Sequence, residues 1–262
     1  MNFSHLVVNG CSCSKGIGLL ATEKSWPQIL ADKLGLPLVN IAIGGSGNTA
    51  IHRRNIEYFH LNLKYNNSPL VINAWSQYWR EEVWRVDRQG YSPLSRMRTI
   101  TRSFWPLELN SSLKPGVDHV ETPEDYYDKA FLLNWADKHH YIRTQTAKLS
   151  TIALFERYNI GYVNFDYFND MDLYQDLIPT LEPWYREAAS ILEKNPKNIN
   201  GNLNDMIEHL PKASDLVHAG QEAQFVIANY IYDVILEIYT MVQHDPKPYA
   251  KLNDYLGPIK SY

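Results

Sequence analysis

Short apolar runs alternate with amphipathic stretches along this chain. His5–Asn9 reads HLVVN and ends in the segment GCSCSKGIG, which predicts a buried strand feeding a loop. Ser25-Trp-Pro27 marks a helix start with proline in the first turn; the helix continues over 27–34, and Gly35 is its stop. Residues 38–43 (LVNIAI) predict a second strand that runs into Gly44-Gly-Ser-Gly47. From Asn48 onward, Ile51, Ile56, Phe59 and Leu63 share one face of a helix. Residues 70–74 predict a third strand, 141–158 a helix and 161–168 a fourth strand. The C-terminal helix presents Phe225, Ala228, Tyr232, Ile235 and Tyr239 on one side. Strands alternating with helices predict a parallel sheet covered on both faces, a three-layer α/β/α architecture of the flavodoxin-like kind with about five strands.

Two regions interrupt the rhythm. Residues 76–140 hold Tyr78, Trp79, Trp84, Tyr91, Phe104, Trp105 and Trp135 without clear periodicity, and 169–203 hold more aromatics and a polar Asn/Lys/Pro stretch. Neither has an apolar core of its own, so both read as insertions on one domain spanning 1–262. The segment after His244 reads as a surface strap or a loosely ordered tail.

Composition narrows the function classes. With 262 residues, 45% hydrophobic and 21% charged, the chain can bury a sizeable core. A formal net charge of −4 argues against a nucleic-acid-binding role, which needs a basic face. Cys11 and Cys13 are the two cysteines, too few for a disulfide framework and suited to a reducing compartment. The N-terminal residues lack a basic start and a long apolar run, and 225–241 is interrupted by Asn229, Asp233 and Glu237. A soluble, cytoplasmic protein without a membrane span is the expectation; the oligomeric state is open.

Ligands of open α/β sheets bind beyond the carboxyl ends of the strands. Three of the predicted strand ends carry polar or glycine-rich clusters: Gly10-Cys-Ser12, Gly44-Gly-Ser-Gly-Asn48 and Trp75-Ser-Gln77. Far downstream, Asp215-Leu-Val-His218 precedes the last helix. A carboxylate three residues before a histidine can hold the imidazole in one tautomer, leaving its other nitrogen to deprotonate a hydroxyl.

These clusters resemble the blocks of the SGNH (GDSL-like) hydrolases. Gly10-Cys11-Ser12 stands where Gly-Asp-Ser is usual, Asn40-Ile-Ala-Ile-Gly-Gly45 is similar to the second block, and Asp215 to His218 is similar to the last. The resemblance covers roughly 3–80 and 200–240. It implies a Ser12–His218–Asp215 triad that hydrolyses a carboxylic ester without metal or cofactor. The implied oxyanion donors are the backbone N–H groups of Ser12 and Gly45. The third block departs: where the family has Gly-x-Asn-Asp, this chain has Trp75-Ser76-Gln77-Tyr78, so Gln77 takes the place of the donating Asn. Asn48 and Asn73 are its rivals.

Competing readings are weaker. Cys11-Ser-Cys13 has no partner cluster for a metal, and either thiol as nucleophile would have to face His218. Gly45-Ser-Gly47-Asn-Thr-Ala50 matches a dinucleotide fingerprint but follows the second strand, with no acidic residue closing the next. The Walker pattern fails because Lys15 precedes Gly16. His209 lacks the Asp spacing, His139-His140 reads as a solvated helix face, and Arg80-Glu81-Glu82 as an ion-pairing cluster.

Four of the seven tryptophans lie between Trp75 and Trp105. Aromatic platforms suit sugar rings, so the expected substrate is a short acyl group, such as O-acetyl, on a carbohydrate, with Asn48, Trp75 and Trp79 as substrate-binding candidates. A lipid or aryl ester hydrolase and an acyltransferase are the alternatives on the same triad. A non-catalytic glycan- or protein-binding module is the alternative without it.

Overall fold

Five parallel strands form the central sheet among the described residues of this computed structural model, which are 3–62, 68–78, 80–84, 97–100, 137–168, 183–199 and 203–244. The sheet strands are β1 (His5–Asn9), β2 (Leu38–Asn40), β3 (Pro69–Trp75), β6 (Gly161–Asp166) and β7 (Asn198–Ile199), in the spatial order β2-β1-β3-β6-β7. A separate antiparallel pair, β4 (Glu81–Trp84) and β5 (Met97–Ile100), lies within 76–140. The chain runs outward from β1 to β2 and then crosses to β3. The switch point of the doubly wound topology therefore falls between β1 and β3, where such sheets open a crevice at the carboxyl ends.

Alternation along the strands sorts the two cores. Leu6 and Val8 of β1, with Leu70, Ile72 and Ala74 of β3, point to a layer built from α2 (Trp26–Leu34) and the long helix α7 (Gln221–His244). Val7 and Val71 point the other way, toward α3 (Asn48–Asn62) and α4 (Asp137–Arg157). Pro27 sits in the first turn of α2, and Gly35 caps its end in the left-handed conformation (φ 65°), with its N–H bonded to Ala31 O and Asp32 O.

The sequence pattern is corrected in four places. On α3 it is Asn55, not the 43%-exposed Ile56, that is buried beside Ile51 and Phe59; Leu63 lies outside the described residues. On α7 the buried stripe is Ala223, Ile227, Ala228, Ile231 and Ile235, and Phe225 is exposed. His140 is buried within α4, not solvated. Finally, 169–203 is not all insertion: it supplies α5 (Pro183–Lys194) and the edge strand β7, which completes the sheet and is followed by the short helix α6 (Leu203–Ile207). The segment after His244 lies outside the described residues.

Candidate active site

Ser12 opens a single helical turn, α1 (Ser12–Lys15), directly after β1. The turn closes through Lys15 N–H to Cys11 O (3.0 Å) and Gly16 N–H to Ser12 O (3.0 Å), with Gly16 left-handed at φ 80°. As the first residue of a turn, Ser12 has a backbone N–H with no intrahelical acceptor, and none is supplied by any other described residue. The side chain of Ser12 is partly exposed, whereas its neighbours Cys11 and Cys13 are both buried free thiols, at 0% and 8% exposure. In this segment the serine faces the crevice and the thiols face the core. The hydrogen bond from Cys13 and the charge of Arg80 draw the Cys11 thiol down; that same bond and burial push Cys13 up.

The turn is held from below by a chain of asparagines, buried except for the half-buried Asn198 at its far end. Asn9, Asn73, Asn164 and Asn198 lie in register across β1, β3, β6 and β7. Asn9 Nδ2 donates to Asn55 Oδ1 (3.1 Å), Asn55 Nδ2 to Asn73 Oδ1 (3.0 Å), Asn73 Nδ2 to Asn164 Oδ1 (2.9 Å) and Asn164 Nδ2 to Asn198 Oδ1 (3.0 Å). At the near end, Asn9 Oδ1 accepts the Gly10 N–H (2.9 Å), the first residue of the Gly-Cys-Ser segment. A satisfied buried polar chain of this kind admits one arrangement and penalises others. It explains why Asn55 occupies a core position of α3.

The second strand end brings its glycines against the serine. A Cβ on Gly44 would stand 4.0 Å from Ser12 Cβ and 2.5 Å from Ile17 Cδ1, so a side chain there would displace the end of Ile17 and lie beside the serine. Gly45 follows in a left-handed turn (φ 76°), and its N–H has no partner among the described residues. Asn40 fastens the two segments, donating from Nδ2 to Ser14 O (2.9 Å) and accepting the Ala42 N–H (3.0 Å).

The third strand end distinguishes the three amides by what they already bond. Asn48 is buried and fully engaged: Nδ2 donates to Ser76 O (2.9 Å) and Thr144 Oγ1 (3.2 Å), and Oδ1 accepts the Ser76 N–H (2.7 Å). It clamps the turn after β3 and has no amide atom left for a substrate. Asn73 is spent in the asparagine chain. Gln77, on the clamped turn, is partly exposed, and its buried Oε1 has no hydrogen-bond partner. Trp75 is 1% exposed, so it packs inside and offers no open face to a sugar. Trp79 lies outside the described residues. Arg80, which sequence reasoning assigned to an ion-pair cluster, places its guanidinium 5.5 Å from the Phe168 ring centroid and close enough to the two thiols to bias them.

Asp215 and His218 form a dyad. Asp215 Oδ2 accepts from His218 Nδ1 at 2.5 Å, while Oδ1 accepts the backbone N–H groups of Val217 and His218, both at 3.0 Å. These three hydrogen bonds, led by the His218 N–H, hold the Asp215 carboxyl below its usual range, at about 2. Nδ1 thereby carries the proton and Nε2 is left as the acceptor. The loop is braced by Ala213 N–H to His218 O (2.8 Å) and Gly220 N–H to Pro211 O (3.1 Å). Gln224 ties it to α2, donating to Ala219 O (3.0 Å) and accepting the Trp26 N–H (2.8 Å).

The dyad is joined to the serine segment through Gly18. Its φ is 88°, a Cβ there would lie 2.5 Å from Asp215 Oδ2, and its carbonyl accepts from both Ser214 N–H (3.2 Å) and Ser214 Oγ (2.7 Å). Among the described residues Ser12 Oγ and His218 Nε2 share no hydrogen bond. Asn9, Asn55 and Gly18 were missed by motif reasoning, and Asn40 entered it only as the start of the second block. The repeated Asn at strand ends (Asn9, Asn40, Asn73) was the one signal that could have found part of the set.

Among the described residues no group of three or more His, Cys, Asp or Glu could hold a metal ion, and no helix is long and apolar enough to cross a membrane. No protein-family model matches the chain, and no curated protein matches it. Among solved structures it is similar to the psychrotrophic esterase EstA from Pseudoalteromonas sp., with 15% identity over 90% of this chain and 99% of that one and a TM-score of 0.47. It is also similar to a putative lipolytic protein of the G-D-S-L family from Desulfitobacterium hafniense (12% identity, 88% and 99% coverage, TM-score 0.45). A third is Axe2, an acetyl-xylooligosaccharide esterase from Geobacillus (11% identity, 90% and 95% coverage, TM-score 0.41).

Proposed function

We propose that the chain is a serine-dependent hydrolase of carboxylic esters. The observation that carries this reading is the Asp215–His218 pair, 2.5 Å apart and bonded through Gly18 to the turn that exposes Ser12. Ser12 Oγ attacks the acyl carbonyl as its proton passes to His218 Nε2. The oxyanion accepts from the N–H groups of Ser12 and Gly45, which have no partner among the described residues, and from the Gln77 side-chain N–H, the rival amides of Asn48 and Asn73 being engaged elsewhere. The C–O bond then breaks as His218 returns the proton to the leaving alcohol. Water, deprotonated by the same imidazole, hydrolyses the acyl-enzyme to a carboxylic acid and regenerates Ser12. Asp215 holds the tautomer and stabilises the imidazolium that forms in each step. No residue in this scheme needs a metal or cofactor.

Two buried free thiols beside the nucleophile suit a reducing, cytoplasmic setting. Ester turnover by wild type against Ser12→Ala and His218→Ala tests the scheme. Each variant is expected to lose at least 10³-fold in kcat, because the triad acts as a unit. An active Ser12→Ala protein of unchanged fold would remove the reading.

A further inference from the structure

Exposed aliphatics flank this site. Leu216 is 82% exposed, Val217 72%, Ile43 45% and Ile17 41%. A single exposed aliphatic residue needs no explanation, but a group of them around one site does. The group is physically joined. Ile17 lies against Gly44 beside Ser12, and the Gly18 carbonyl is hydrogen-bonded to Ser214 at the start of the loop that carries Leu216 and Val217.

That loop holds its two aliphatics outward against local preference. Leu216 adopts φ 59°, the left-handed region that a residue with a branched side chain rarely enters. The conformation is maintained by Leu216 N–H to Ala213 O (2.9 Å) and by the Asp215 carboxylate, which takes the next two N–H groups. The same carboxylate orients the imidazole. Strain that persists next to a reacting group points to a role for what it displays.

Chemistry decides what the lip meets. In the proposed hydrolysis the leaving oxygen must lie at His218 Nε2 to collect its proton, so the alcohol half of the ester passes over the His218 loop. We propose that Leu216 and Val217 form a binding lip for an aliphatic chain on the alcohol side of the substrate. The enzyme then prefers esters of longer alkyl alcohols over esters of polar alcohols such as sugars. This assignment rests on the hydrolase reading above. The occupant is the substrate itself because the lip is continuous with the dyad that touches it.

The test pairs turnover with binding. Butyrate esters of ethanol, butanol, hexanol and octanol are hydrolysed by wild type and by the double variant Leu216→Asn, Val217→Ser. Asparagine tolerates the left-handed backbone, and both side chains point to solvent, so the variant retains its fold. One-sided burial of a methylene is expected to gain about twofold in kcat/KM, half the effect of full burial. Octyl butyrate should exceed butyl butyrate by about 16-fold in wild type and by no more than about threefold in the variant. Equilibrium dialysis of radiolabelled 1-octanol reads the same lip without any turnover and should show the same loss. A flat alkyl series with normal hydrolysis overturns the lip while leaving the hydrolase reading intact. Absent turnover with variant-sensitive octanol binding overturns the hydrolase reading alone. Octanol binding equal in both proteins, or a wild-type dimer that the variant converts to monomer, assigns the surface elsewhere and refutes the proposal.

Discussion

Asn55→Leu is the substitution whose cost can be worked most fully from the structure. Leucine branches at Cγ as asparagine does but is bulkier, so the change opens no cavity and instead adds some overpacking in a position that is 0% exposed. What it removes is a donor and an acceptor. Asn73 Oδ1 loses its 3.0 Å donor, and one Asn9 N–H loses its 3.1 Å acceptor, although Asn9 keeps its 2.8 Å bond to Ile51 O. Two buried polar atoms left unsatisfied cost about 1–3 kcal/mol each, so their expected destabilisation is about 2–6 kcal/mol. For a chain of this size that lowers Tm by about 4–24 °C. Thermal unfolding followed by circular dichroism measures it. A double cycle with Asn73→Leu sharpens the reasoning: once both amides are apolar, one orphaned contact disappears, so the pair should be at least about 1 kcal/mol less harmful than the sum. A Tm shift under about 2 °C for Asn55→Leu, or strict additivity with Asn73→Leu, would refute the asparagine chain as a coupled network.

Further expectations concern the chemistry. Gln77→Ala should lower kcat about 10²-fold at nearly constant KM, since a donor to the oxyanion acts only as charge develops; steady-state kinetics reads the split, and an unchanged kcat leaves a purely backbone hole. Gly18→Ala forces an L side chain into φ 88° and into the Asp215 carboxylate, so kcat should fall at least tenfold with the nucleophile intact, as checked by kinetics and a crystal structure. The Asp215 carboxyl, lowered to about 2, stays ionised below the ordinary carboxylate range, so its contribution to stability is present above that range and lost as pH falls through about 2. Acid unfolding of Asp215→Asn that matches wild type throughout would contradict that assignment.

The parts of the fold legible in the sequence are those decided by continuous apolar burial. β1, β3 and α2 lie within one residue of where their apolar runs and the Pro27/Gly35 punctuation place them. β7 escaped because it is a two-residue edge strand whose Asn198 is recruited by a polar partner, Asn164, that no periodicity encodes. The α3 face was misjudged for the same reason: the sheet presents Asn9 and Asn73 to that helix, so an asparagine outcompetes Ile56 for the interior. The Asp215–His218 hydrogen bond was legible because a carboxylate three residues before a histidine can reach its imidazole. Trp75 was not, since an aromatic residue at a strand end reads the same whether it faces solvent or, as here, the packed interior.

Labelling with a serine-directed alkyl phosphonate, followed by peptide mass spectrometry, tests the nucleophile most directly. The account predicts one adduct, on Ser12, formed by wild type and Leu216→Asn alike and lost in Ser12→Ala. It should form far more slowly in His218→Ala, because the hydroxyl must give up its proton to react. An adduct on Cys11, Cys13 or another serine, or labelling of Ser12 at equal rates with and without His218, would contradict it.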